Sequence, residues 1–101
     1  GFNMAMLHII RSSGYSSNAL VQCLSMLLPQ DNILLMDDGC YNLSHASLLK
    51  ALKDDPELSA YVVSEHASAR AQNSSHSDFI LTTLIEVVTL LFQHDNSITW
   101  S

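Results

Sequence analysis

Met6-Leu7-His8-Ile9-Ile10 is short, apolar and partly β-branched, and Ser12, Ser13 and Gly14 end it, which predicts a buried strand. SSNALVQCLSMLL follows, over residues 16–28. Its polar positions Asn18, Gln22 and Ser25 fall four and three apart, the spacing of a narrow stripe on a helix whose other faces are apolar. Ser16 or Ser17 can accept from the free amides of the first turn, and Pro29 prevents continuation. Residues 32–36, NILLM, read as a strand covered on both faces. Asp37-Asp38-Gly39 closes it, with Gly39 able to take positive φ. A second helix runs from about Ser44 to Lys53, with Leu48, Leu49 and Leu52 on its inner side, and Asp54-Asp55-Pro56 breaks it.

Residues 59–64, SAYVVS, predict a third strand, and 65–71 one or two helical turns. QNSSHS (72–77) is a polar loop and Phe79-Ile80-Leu81 a short strand. β-Branched content favours a strand after that, but length and period favour a helix from about Thr83 to His94. Thr83 followed three residues on by Glu86 fits a capping box. Thr82, Glu86, Thr89 and Gln93 form a second narrow polar stripe. Asp95-Asn96 signals a turn, and Ser97-Ile98-Thr99-Trp100 a last strand. Alternation of this kind implies an α/β fold, a mostly parallel sheet of four to five strands with helices on both faces. Residues 1–5, GFNMA, read as an expression remnant and residues 6–101 as a single domain.

Composition sharpens this. Apolar residues are 48% of the chain and charged residues 14%, against roughly 25% charged in an average domain. That excludes a disordered tail, and a net charge of −6 excludes a basic nucleic-acid module. So small a domain has much surface to cover. Low charge and the two narrow stripes together predict that the first and last long helices also pack against another subunit. The alternative is scattered surface Leu and Val. The apolar stretch Phe79–Phe92 is interrupted by Glu86 and is shorter than the roughly 20 residues a membrane span needs. Two cysteines without a secretory signal point to a reducing cytosol.

Candidate chemistry lies beyond the carboxyl ends of the strands, in Arg11–Ser17, Asp37–Asn42 and Ser64–Ser68. Cys40 falls in the second segment, where an exposed thiol could carry sulfur, but Asp37 and Asp38 disfavour its thiolate. Cys23, beside Leu20, Leu24 and Leu27, reads as a small buried hydrophobe. His8, His45, His66, His76 and His94 show no metal-ligand spacing, and no GxSxG, GxGxxG or P-loop motif occurs. No metal and no cofactor are expected. Arg11, Lys50, Lys53 and Arg70 are too dispersed to bind nucleic acid.

MLHIIRSS, NALVQCL, LLMDDGCY, AYVVSEHASARA and the final FQHDNSITW resemble the DsrH/TusB family of sulfur-relay subunits. The specific elements are Leu7-His8 before Arg11-Ser12, the Asp38-Gly39 turn with Tyr41, Ala69-Arg70 and Trp100, in the family's order over almost all of residues 6–100. The resemblance implies a DsrEFH-like three-layer α/β/α sandwich. It implies a non-catalytic subunit of a TusBCD-like dimer of heterotrimers, with TusC-like and TusD-like partners. That complex takes persulfide sulfur from TusA-like carriers and passes it to TusE-like carriers for 2-thiolation of the tRNA wobble uridine. The alternative is a DsrH-type subunit in sulfur oxidation with Cys23 as persulfide acceptor. In either case no direct nucleic-acid or membrane contact is implied, and whether the chain forms a homo-oligomer in isolation is left open. The chain departs from the family at Ala69-Arg70-Ala71, at Thr83-Leu84 and at Cys40, where Val is usual, so Cys40 gains no support from the resemblance.

Overall fold

A computed structural model describes residues 5–73 and 78–101. The expectations for residues 1–4, and for His76 and the rest of 74–77, lie outside the described residues. The chain runs β1 (Met6–Ile10), α1 (Ala19–Ser25), β2 (Asn32–Leu35), a 3-10 segment (Asp37–Ser44), α2 (Ala46–Asp54), β3 (Ala60–Val63), α3 (Ser64–Ala69), β4 (Phe79–Thr82), α4 (Leu84–Gln93) and β5 (Asn96–Trp100). The five strands form one all-parallel sheet in the order β4-β3-β2-β1-β5. This is the α/β fold expected from the alternating pattern.

Side chains alternate across the pleat, so each strand feeds two cores. Ile10, Ile33, Leu35, Ala60, Val62 and Phe79 face one side and pack with Leu20, Cys23, Leu48, Leu52 and Ala67 from α1, α2 and α3. Leu7, Ile9, Leu34 and Val63 face the other side, where Val87 and Leu90 of α4 cover them. Burial on both faces is why β2 reads as an unbroken apolar run.

Three local expectations are corrected. Helix α1 stops at Ser25, short of Pro29, because Asp31 Oδ2 accepts the Leu28 amide (3.1 Å) and Gln30 takes φ 75°, which turns the chain early. Its start is set by Ser17 Oγ, which accepts from the Ala19 amide. The loop after β2 is a 3-10 segment, and α2 begins at Ala46, capped by His45 Nδ1 on the Ser47 amide. Gly39 does not adopt positive φ; Asp37 does, at 49°. Glycine is required at 39 for another reason: a Cβ there would lie 1.9 Å from the Ile10 carbonyl oxygen.

The ambiguous C-terminal segment is a helix, and both halves of its capping box form. Thr83 Oγ1 accepts from the Glu86 amide (3.2 Å), and Glu86 Oε1 accepts from the Thr83 amide (3.0 Å). Thr83→Ala should cost about 1 kcal/mol, a drop in Tm of about 4–8 °C by circular dichroism. A variant melting with the wild type would show that the box contributes nothing. The polar stripe Thr82, Glu86, Thr89 and Gln93 lines a groove of about 230 Å3 over Tyr61 and Ile80. While Val87 and Leu90 of α4 cover the core, a second apolar side of the helix faces solvent: Ile85 is 85% exposed and Phe92 86%. A surface helix packed only on its sheet shows a polar face there. On α1 the exposed apolar surplus is smaller, Val21 on the helix with Met26 and Leu28 just past it.

Candidate functional site

The three segments expected to carry chemistry do converge at the carboxyl ends of β1, β2 and β3. Arg11, one residue past β1, donates from Nε to Asp37 Oδ2 (2.7 Å). The Asp37 amide donates to His66 Nδ1 (2.9 Å), which ties the loop after β2 to α3. That bond makes Nδ1 an acceptor, so the 3.5 Å approach of Nδ1 to Asp37 Oδ1 is a neighbour contact and not an ion pair. Arg70 donates from Nε to Asp38 Oδ1 (2.9 Å) and from Nη1 to the His66 carbonyl. Two guanidinium groups therefore meet two carboxylates, and the cluster carries little net charge.

Below this layer Asn42 is fully buried. Its Oδ1 accepts the Gly14 amide (2.6 Å) and its Nδ2 donates to the Ser12 carbonyl (3.0 Å). Asn42 thus staples the loop after β1 onto the 3-10 segment. The Tyr15 hydroxyl lies 3.1 Å from Ser44 Oγ, and its ring packs at 4.9 Å on that of His45. The sequence pattern did not mark Asn42, because a buried loop asparagine has no periodic signature.

Neither candidate thiol reaches the surface; Cys23 and Cys40 are both 0% exposed. Burial pushes the Cys23 thiol up to about 12, helped by the Asp31 charge. Burial likewise raises Cys40 to about 11; Arg70 opposes this, and Asp37 and Asp38 add to it. Burial therefore disfavours the Cys40 thiolate at neutral pH. Its Sγ makes only weak contacts, 3.8 Å to the Leu35 carbonyl and 4.0 Å to that of Val63.

A second cluster sits towards the β5 edge, on the sheet face that α1 and α2 cover. Trp100 Nε1 donates to His8 Nδ1 (3.0 Å), and His8 Nε2 lies 2.9 Å from Asp31 Oδ2. An indole N–H only donates, so Nδ1 is the acceptor and Nε2 carries the proton given to Asp31. Asp31 also accepts the amides of Met6 and Leu28. Burial raises the Asp31 carboxyl, but the bonds from His8, Leu28 and Met6 outweigh it and hold it below the ordinary carboxylate range. Beside this chain lies an apolar cavity of about 220 Å3, lined by Met6, Met26, Leu28, Ile98 and Trp100 as well as His8 and Asp31. His94 closes another contact, with its Nδ1 on the Leu90 carbonyl (2.7 Å) and its Nε2 by Asn32 Nδ2.

Among the described residues no group of His, Cys, Asp and Glu can hold a metal, and no helix is long and apolar enough to cross a membrane. The model of one protein family, described as DsrH like protein, matches residues 12–97. Among solved structures, the ychN protein from E. coli is similar in fold: TM-score 0.76 at 13% identity, covering 95% of this chain and 98% of that one. No curated protein matches significantly.

Proposed function

The chain belongs to the DsrH-like family, and from that premise we propose that it is a non-catalytic, assembly-forming subunit of a sulfur-relay complex. Family membership makes it a sulfur-relay related protein. The finer reading is a TusBCD-like complex, with TusC-like and TusD-like partners, that supports 2-thiolation of the tRNA wobble uridine in the cytoplasm.

One observation carries the non-catalytic reading: both thiols are buried and their pKa values raised to about 12 and 11. Persulfide transfer starts from a thiolate with an open approach, and this chain has neither at Cys23 or Cys40. A subunit of this kind holds a partner's thiol in place. The solvent-facing apolar side of α4 supports an assembly role, because patches of that kind mark protein contacts. The arginine–aspartate cluster is self-neutralised, which leaves it a structural tie between loops.

Co-expression with TusC-like and TusD-like subunits should yield a stable complex. Incubation with a persulfide donor should then add about 32 Da to a partner cysteine and nothing to Cys23 or Cys40. An adduct on Cys23, with relay lost in Cys23→Ser, would establish the DsrH-type carrier reading instead. Failure to co-purify would remove the assembly role.

A further inference from the structure

We propose that two copies of this chain pair edge to edge through β5, antiparallel about a two-fold axis at Ile98. This is independent of the sulfur-relay reading. Strand β5 is an outer strand, bonded among the described residues to β1 alone. The Arg11 amide donates to the Trp100 carbonyl (2.9 Å), so the main chain of Trp100 faces β1. Orientation alternates along a strand, so Ile98 also faces β1, and Ser97 and Thr99 turn their N–H and C=O groups to the open side. Natural edges are shielded by Lys, Pro, bulges or inward charges. Residues 96–100, NSITW, contain no charge and no proline.

The occupant follows from register. An antiparallel copy with Ile98 on the axis places Ser97 opposite Thr99 of its partner, and Thr99 opposite Ser97. Residues facing each other in this way exchange both hydrogen bonds, so the outward groups make four bonds between them. The two Ile98 side chains then meet as a close non-bonded pair, on the face that carries Trp100 and the 220 Å3 apolar cavity. Met26 and Leu28, both exposed, flank that meeting point. On the opposite face each Ser97 hydroxyl lies beside a Thr99 hydroxyl, a favourable cross-strand pair. Both faces therefore match themselves. Each copy carries −6, which opposes pairing, but the strand itself adds no charge to the seam, and Asp95, the acidic residue next to it, falls opposite Ser101 and not opposite itself. Five-residue strands bury an area at the small end of specific interfaces, below roughly 1,200 Å2, so the dimer forms reversibly with concentration.

The test uses the full chain carrying Ile85→Glu and Phe92→Glu, which silences the exposed side of α4. Sedimentation equilibrium should show the mass rising with concentration from 11.1 kDa towards twice that value. Adding Thr99→Pro removes one outward N–H that no group among the described residues uses; it should weaken association at least tenfold while the circular dichroism spectrum stays unchanged. Register is tested by cross-linking, because the native thiols are buried. Ile98→Cys should form an interchain disulfide on mild oxidation, since a non-bonded pair brings the two Cα atoms to about 4.5 Å, within disulfide reach. Ser97→Cys should not. A mass that stays at one chain overturns the proposal. So does association that Thr99→Pro leaves intact, or cross-linking at 97 equal to that at 98, or at neither.

Discussion

Gly39→Ala should destabilise the protein by more than about 3 kcal/mol, a fall in Tm of at least about 12 °C, and at the limit leave the chain unfolded. The added Cβ would sit 1.9 Å from the Ile10 carbonyl oxygen and 2.7 Å from its carbon. Both are backbone atoms of a buried central strand, so no rotamer change relieves the contact. The Gly39 amide is itself bonded to the Met36 carbonyl (2.8 Å), and the Ile10 carbonyl accepts the Met36 amide (3.0 Å). Moving the 3-10 segment away would therefore break the bonds that join it to β1. It would also part Arg11 from Asp37 and Asn42 from the Ser12 carbonyl. Thermal unfolding by circular dichroism decides it; a variant within 3 °C of wild type would mean that the close approach is not maintained in solution.

Asp31→Ala should cost about 3–5 kcal/mol. The carboxylate accepts the Met6 amide, the Leu28 amide and the His8 Nε2 proton, and it is buried. Alanine leaves those donors without a partner, and each buried unsatisfied group costs about 1–3 kcal/mol. Denaturant titration measures the loss. Trp100 is the one tryptophan, so its fluorescence should report release of the indole from His8. Acid supplies an independent check. The Asp31 carboxyl is held below its ordinary range in the folded protein, so the unfolded chain binds a proton first as pH falls. Its stabilisation is full above the unfolded value of about 4 and drains away as pH drops through the lower folded value. Asp31→Ala should lack that contribution to the acid dependence. Equal acid slopes in the two proteins would remove Asp31 as its source.

Both residues show how legibility divides. Strand positions were readable because burial on two faces makes runs such as Ile33-Leu34-Leu35 continuously apolar. Helix α4 was readable because Thr83 and Glu86 cap it locally. The Asp38-Gly39 turn was visible too, but its cause was not. A local rule assigns glycine to positive φ, whereas the constraint here comes from a strand 29 residues earlier in the chain. Asp31 carried no local mark at all. Its partners are an amide three residues back, another 25 back and a ring 23 back, and they meet only when β1 and β2 lie side by side.

Hydrophobic periodicity, caps and turn residues, all short-range properties, were enough to determine the parallel α/β architecture, and the order of the quoted segments carried the family resemblance. Tertiary structure alone decided that the thiols of Cys23 and Cys40 are sealed, that Trp100, His8 and Asp31 form one hydrogen-bonded chain, and that the apolar side of α4 and the edge of β5 face outward. Burial, desolvation and edge exposure depend on which surfaces the folded layers bring together, and that is a property of distant residues meeting in space.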